Sequence, residues 1–581
     1  MSTSLINLAG KALVKGQASG KILACHTELS FWGGVDPVTG EVIDRHHSLS
    51  GEFLKGKILA LPGGRGSCSG SGVILEMIVN GKGPDAIVVS RPDDIITLGI
   101  WIAKEIFKRS IPLVMLDQQS FVTLSEQQYA AISYGKIQCA DQTLSTPQKQ
   151  EESSDKLERW NDISLSDYDR RLLDGEQTQA AQVAMKIILH MAQLAGATKL
   201  IDVNQVHIDG CIYTGQASLG FAKKLLNLGG QFAVPTSLNA ISVDYRRWKA
   251  QGVASEFGEQ ASALADTYVA MGAKSTFTCA PYLLGSAPKK GEQIAWAESN
   301  AVVFANSILG ARTMKYPDFL DACIALTGRA PLAGPHISQQ RKASLQVTVT
   351  DASQVDDLFY PVLGYHIGKL VGDQIPVVLG LAELTPSLDD LKAFSAAFGT
   401  TSSAPMFHIL GITPDAKTLE ETLADHQPIE TISLTCGDLL ESWKALSTIN
   451  QLPSDLISLG NPHFSLGEFK SLARLCLGHK IKSKLTMYIT AGREVVAQAE
   501  EAGYIAEIER FGAKIITDTC WCMIAEPIIA SDTRVICTNS AKYAHYGPGM
   551  TGRKFKLLSL YGCVQEAITG TPFTIIPEWI S

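Results

Sequence analysis

Residues 456–463, LISLGNPH, together with LTMYIT at 485–490, KIITDTC at 514–520 and RVICTNS at 534–540, decide how this chain folds. Each is an apolar run of strand length that stops at a turn-forming or polar residue, and helical segments separate several of them. TISLTC at 431–436 has the same form. Strand–helix alternation of this kind builds parallel sheets covered by helices. In open parallel sheets ligands sit beyond the carboxyl ends of the strands. Cys436, Asn461, His463, Cys520 and Ser540 all fall at such ends, and a structural cysteine buried in a core has no reason to prefer them.

The alternation extends upstream. A helix is expected near 176–195, a strand from Lys199 running into the polar loop that ends at Gly210, a helix at 218–228, an extended run at 232–239 and a helix at 254–273. The next stretch, KSTFTCAPYLLGSAPKKGEQIAWAESNAVVFANSILGART at 274–313, opens with a β-prone run that stops at Cys279. It passes through a Gly/Pro/Lys loop into a long segment with apolar residues at helical spacing. Trp296, Glu298, Ser299, Asn300, Asn306 and Ser307 interrupt that pattern. Burying carboxylates and amides unpaired costs roughly 2–7 kcal/mol, so these residues face water, meet partners or line a site.

The first 140 residues read as a smaller domain of short strands with a few helices. KILA at 21–24 and KILAL at 57–61 are strand-like. DAIVV at 85–89, the amphipathic 95–109 and IPLVM at 111–115 form a β-α-β unit. The loop PGGRGSCSGSG at 62–72 leads from a strand into an apolar run. Such a turn aims backbone N–H groups at an anion, although it lacks the lysine of GxxxxGK[ST] and a plain tight turn would look the same. From 141 to 165 the chain is polar and rich in breakers, as a linker would be.

A length of 581 residues exceeds what one core usually supports. The net charge of −8 leaves no basic footprint for nucleic acid or an anionic membrane. Apolar runs fall short of the 18–20 residues of a membrane span, and no convincing signal peptide opens the chain; a cytoplasmic location is the expectation. Without a secretory signal, the twelve cysteines are not expected to form a disulfide framework. Cys520 and Cys522 are spaced CxC, which on an extended chain would send them to opposite faces, so a structural zinc site is not expected. Cysteines brought together from distant strand ends would suit an iron–sulfur group. No GxSxG elbow supports a serine hydrolase.

At PGGRGSCSGS (62–71), TFTCAPYLLG (276–285), IAWAESNAVVFANSILGART (294–313), GNPHFSL (460–466), TDTC (517–520) and TNSAKYAHY (538–546), the chain closely resembles the aconitase X family. The resemblance spans nearly the whole length. It implies an α/β fold: a swivel domain over 1–140, the linker 141–165, and an aconitase-like large domain of parallel-sheet units over 166–581. It further implies a dehydratase with an iron–sulfur cluster where large and swivel domains meet. The fused single-chain branch is associated with removal of water from cis-3-hydroxy-L-proline to give Δ1-pyrroline-2-carboxylate, with no separate small subunit. The two-subunit branch is associated with mevalonate 5-phosphate, the competing reading; an iron-sensing or RNA-binding relative is a third. Where the two-subunit members read GCPH, this chain has Gly460-Asn461-Pro462-His463, a departure that fits a [2Fe–2S] cluster. On the resemblance, Cys279 and Cys520 are expected as cluster ligands, with Cys537 as the third in preference to Cys522 and Cys436. The α-proton base is expected on the glycine-rich loop, at Ser71 in preference to Ser67. Arg65, Ser540, Lys542, His545, Glu298, Asn300, His207, Asp209 and Thr214 are expected to bind the substrate, a small hydroxy amino acid.

Overall fold

The strand–helix alternation is present in the computed structural model, which describes residues 5–146, 160–424, 430–449, 451–482, 484–574 and 576–580. The expected linker therefore lies largely outside the described residues. The chain divides into two compact units. One comprises Met1–Asp202, Thr214–Gln231 and Tyr316–Leu332; the other comprises Val203–Tyr213, Phe232–Lys315 and Ala333–Ser581.

The first unit is built on an eight-stranded sheet in the order Ile6–Ala9, Lys136–Ala140, Tyr129–Ser133, Gln17–Ala24, Lys57–Leu61, Ala86–Val89, Leu113–Met115, Lys11–Val14. Its centre is parallel and its flanks antiparallel. The two outermost strands, Ile6–Ala9 and Lys11–Val14, are consecutive in sequence and joined at Gly10, so one continuous segment forms both margins of the sheet. A Cβ at residue 10 would meet the Met115 carbonyl oxygen at 2.5 Å, which is why a glycine stands there. The expected β-α-β unit is Ala86–Val89, the helix Asp94–Phe107 and Leu113–Met115. Asp93 starts that helix by accepting hydrogen bonds from Ile96 N and Gly64 N, as a side-chain cap should. The glycine-rich loop passes directly into the helix Gly70–Asn80. The helix Gln179–Leu194 and a two-stranded ladder, Leu200–Asp202 with Arg329–Pro331, complete the unit.

The second unit contains three parallel sheets. Val206–Ile208 is flanked by Thr236–Leu238 and Ala295–Trp296. A four-stranded sheet runs His408–Ile409, Pro376–Leu379, Leu345–Val349, Glu430–Leu434. The run ending at Cys436 thus belongs here, apart from the other C-terminal strands. Those form a five-stranded sheet in the order Lys514–Thr517, Thr486–Ala491, Leu456–Leu459, Val535–Thr538, Lys554–Leu557. Every residue of Leu456–Leu459 and Val535–Thr538 is buried, as in a sheet covered on both faces. From Leu456–Leu459 the next strands in sequence go to one side, and Val535 onward to the other. The order therefore reverses between these two strands, and a reversal of that kind opens a crevice at their carboxyl ends.

The long helix expected within 274–313 is a short helix, Ser299–Phe304, continued by a π-helical turn, Ala305–Leu309, that stops at left-handed Gly310. Asn306 explains the wide turn: its side chain bonds Thr313 O, Thr313 N and Pro405 O, partners outside any regular helix. The β-prone run before Cys279 is irregular, with Phe277 at φ +42°.

Candidate active site

The carboxyl end of Leu456–Leu459 is Gly460-Asn461-Pro462-His463. Gly460 has φ +92°, and a Cβ there would lie 2.1 Å from Thr490 O; no other residue can turn the chain so close to the neighbouring strand. The carboxyl end of Lys514–Thr517 leads through Asp518 and Thr519 into a turn at 520–523, closed by Met523 N donating to Cys520 O at 2.8 Å. Trp521 Nε1 donates to Leu459 O at 2.7 Å. That bond pulls the turn from an edge strand across to the point where the strand order reverses.

Because Cys520-Trp521-Cys522 is a turn and not an extended chain, the two sulfurs need not diverge. Cys520 Sγ is 3.8 Å from Cys279 Sγ and is hydrogen-bonded with Cys522. Asn461 Nδ2 donates to Cys522 Sγ at 3.1 Å, and His463 N donates to Cys279 Sγ at 3.3 Å. Three buried thiols thus converge from two loops. Cys537 is elsewhere: its Sγ is 3.5 Å from Cys563 Sγ, inside the apolar core of Ile457, Leu459, Ile489 and Leu558. Val535–Thr538 alternates its faces, and residue 537 points into the helix layer. Cys436 has Asp351 hydrogen-bonded to its backbone N–H, at the end of the four-stranded sheet. The third thiol beside Cys279 and Cys520 is Cys522, in place of the expected Cys537.

Beside the thiols lies a buried ion pair. Lys542 Nζ is 2.7 Å from Glu298 Oε1, with side-chain exposures of 7% and 5%. Glu298 Oε2 accepts from Ala301 N, capping the short helix, and from Asn300 Nδ2. Asn300 Nδ2 also donates to Cys279 O at 3.0 Å, and its Oδ1 accepts from Tyr282 at 2.8 Å. The polar residues that interrupted the helical pattern are therefore paired with one another and with the cysteine loop. Burial pulls the Lys542 ammonium down, but attraction to Glu298 and then to Cys522, Cys520 and Cys279 outweighs it and holds its pKa well above the usual lysine value. Cys520 and Cys522 are pushed well above the ordinary thiol range, Cys520 foremost by its hydrogen bond to Cys279 and Cys522 by its bond to Cys520. Crowded, desolvated thiols keep their protons until a cation takes their place. Among the described residues, no three His, Cys, Asp or Glu side chains close around a point where one ion would sit.

The other expected residues divide between the two units. Ser540 caps the helix Ala541–Thr551 by accepting from Tyr543 N, and His545 on that helix bonds Tyr365 at 3.0 Å. Ser540, Lys542, Asn461 and Pro462 line a small cavity of about 30 Å³, with Lys392 beside them. His207 Nδ1 is 2.8 Å from Ser237 Oγ, and burial pushes its pKa down to about 3. Asp209 accepts a hydrogen bond from Asn239 Nδ2. In the first unit, Arg65 is engaged by Asp44 at 3.0 Å and by Glu28 O. Ser71 is fully buried on the first turn of Gly70–Asn80 and donates to Ile95 O at 3.0 Å. Ser67 Oγ instead accepts from Ser69 N at 3.3 Å and lies 3.2 Å from Ser69 Oγ. Thr214 belongs with this loop: its Oγ1 would lie 3.2 Å from a Cβ at Gly72.

Sequence reasoning ranked Cys522 below Cys537 and undervalued Asn461 and His463. The signal was present: a CxC whose middle residue is a tryptophan able to anchor a turn, and an asparagine and a histidine at the end of a strand.

Strand ends that gather thiols, a buried ammonium–carboxylate pair and amide donors at a strand-order reversal define a parallel-sheet α/β protein with a soft-ligand, charge-bearing centre. The aconitase X family profiles match the chain segment by segment: the swivel domain at 7–139, the first domain at 162–339, the second at 343–444 and the third at 454–569. This chain belongs to the aconitase X family. It is 54% identical to the cis-3-hydroxy-L-proline dehydratase of Hypocrea jecorina, covering 98% of this chain and 97% of that one. To the enzyme of the same name from Pseudomonas aeruginosa it is 49% identical, covering 98% of each. The crystal structure of Thermococcus kodakaraensis aconitase X in its holo-form superposes with a TM-score of 0.63 at 34% identity, over 70% of this chain and all of that one.

Proposed function

We propose that this chain is a hydro-lyase that removes water from cis-3-hydroxy-L-proline and yields Δ1-pyrroline-2-carboxylate. The observation that carries the reading is identity of about half, end to end, with two dehydratases of that name. The reaction breaks the C2–H and C3–O bonds; the enamine formed moves a proton to carbon to give the cyclic imine. In the cis isomer the C2 hydrogen and the C3 hydroxyl lie on opposite faces of the ring, so base and leaving-group acceptor must act from opposite sides. The C2 proton becomes acidic only when charge developing on the carboxylate is stabilised by preorganised donors.

Lys542 suits that task. It is a buried ammonium whose position Glu298 fixes, while Glu298 is itself held by Asn300 and Ala301 N. The three thiols of Cys279, Cys520 and Cys522 suit an iron–sulfur cluster, which we propose to be [2Fe–2S] with Asn461 beside it; such a group spreads its ligands over more than one iron. When bound it would act as a Lewis acid toward the leaving hydroxyl. The base is proposed on the glycine-rich loop. Ser67, whose oxygen accepts from a backbone amide, suits an oxygen that must carry negative charge better than Ser71, which donates to a carbonyl. A phosphorylated substrate would need a cation at that loop, and Arg65 is already engaged by Asp44. The domain limits 1–140 and 166–581, with 141–165 as linker, form part of the same proposal.

The test is turnover of cis-3-hydroxy-L-proline by protein reconstituted with iron and sulfide, followed by detection of the imine with o-aminobenzaldehyde. Formation of product from that isomer, and not from mevalonate 5-phosphate, is expected. Turnover of the phosphorylated acid alone would overturn the reading.

A further inference from the structure

The first unit contains a cavity that the dehydratase site does not use. It lies between the helix Asp94–Phe107 and the helix Gln179–Leu194, has a volume of about 340 Å³, and is lined by Leu98, Val183, Ile187 and Met191 with Trp101 and Trp160. Pockets for small organic ligands begin at about 300 Å³ and are mostly apolar with a few polar groups. Helices that pack at interior density leave few voids larger than a water molecule, so an open apolar space between two amphipathic helices is itself a feature to explain.

Two of its polar groups are indole N–H donors. The indole Nε1 atoms of Trp101 and Trp160 are both buried, and neither has a hydrogen-bond partner among the described residues. A buried indole N–H normally finds an acceptor, and leaving one unmade costs about 1–3 kcal/mol. Cations border the same space: Lys104, whose Nζ is 5.0 Å from the Trp101 ring centre, and Lys186, against the single carboxylate of Glu105. His190, 3.7 Å from Trp101 between ring centres, adds a third ring, and burial pushes its pKa down to about 4, so it brings no charge at neutral pH.

We infer that this cavity binds a small aromatic carboxylate of one or two fused rings. The rings and aliphatic walls take its planar body, the indole N–H groups donate to its oxygens, and Lys104 and Lys186 balance its charge. An aliphatic acid would lose the ring contacts, and a neutral aromatic would leave the donors without a charged acceptor.

Calorimetric titration of the full chain with 2-naphthoate tests this, with 2-naphthylmethanol and cyclohexanecarboxylate as controls. Saturable one-to-one binding of 2-naphthoate is expected, with both controls at least tenfold weaker. Trp101→Phe and Trp160→Phe keep a ring and remove one donor; each should weaken binding roughly ten- to hundredfold, since a hydrogen bond to a charged group contributes about 1.5–3 kcal/mol. Lys186→Gln, on an exposed rim, should weaken it and flatten its dependence on salt. No saturable binding, equal affinity for the neutral alcohol, or unchanged affinity in folded Phe and Gln variants would each overturn the inference.

Discussion

Replacing Lys542 by methionine removes the ammonium that faces Glu298 at 2.7 Å in a site where both side chains are more than nine-tenths buried. The Glu298 carboxylate would then remain in low dielectric with only the Asn300 amide and Ala301 N as donors. Removing one member of a buried pair typically costs about 3–5 kcal/mol, because a buried charge is left uncompensated. Glu298→Gln leaves the ammonium instead, without the carboxylate that faces it, so this variant should suffer comparably. In the double variant no charge is left stranded. Its loss should therefore fall short of the sum of the single losses by roughly 2–3 kcal/mol, the upper part of the range for residues in contact. Urea unfolding of metal-stripped wild type and the three variants measures the cycle, and each single variant should also lower Tm by about 5–10 °C. Additivity within about 0.5 kcal/mol, or single losses below about 1 kcal/mol, would refute the view that the pair is dry and mutually dependent.

Cys279→Ser, Cys520→Ser and Cys522→Ser should each lower bound iron and bleach the visible absorption of reconstituted protein. Cys537→Ser should keep the iron and lose about 1–3 kcal/mol of stability from a hydroxyl buried in an apolar core; a colourless Cys537 variant beside a coloured Cys522 variant would reverse the ligand assignment. Ser67→Ala should abolish exchange of the substrate α-proton in deuterated water with the cluster spectrum unchanged, whereas Ser71→Ala should retain it. Acid should destabilise the fold through His336 and His408, whose pKa values burial pushes down to about 3 and about 4 from 6.5. Because the unfolded chain binds these protons more readily, stability is full above pH 6.5 and falls as pH drops toward 4, by order of 3 kcal/mol per histidine. Proton uptake on unfolding at pH 5, measured by calorimetry in two buffers of different ionisation enthalpy, should be near two more than in the His336→Gln/His408→Gln variant.

Much of the fold could be read from local pattern. The runs at 456–459, 486–491, 514–517 and 535–538 all became strands, because parallel strands covered on both faces are rich in apolar residues. Their grouping could not be read: Glu430–Leu434 has the same form, yet pairs with Leu345–Val349 in another sheet. Sheet membership depends on crossover geometry, and a strand's own residues carry no record of it. In the site, Cys279, Cys520, Glu298, Asn300 and Lys542 stood out because polar or soft residues at strand ends and within a helical stripe break the expected pattern. Cys522 ranked below Cys537, because a CxC read as extended sends its two thiols to opposite faces. The bond from Trp521 to Leu459 that bends it joins residues 62 apart, a separation at which sequence periodicity is silent.

The joint at Gly10 has a consequence for handling the protein. One continuous segment supplies both margins of the eight-stranded sheet, and so covers the N–H and C=O groups of two strands that would otherwise be borders able to recruit another chain. Deleting residues 5–14 would uncover two such borders at once, along Lys136–Ala140 and Leu113–Met115. A trimmed chain would then associate sideways in solution long before its core had melted.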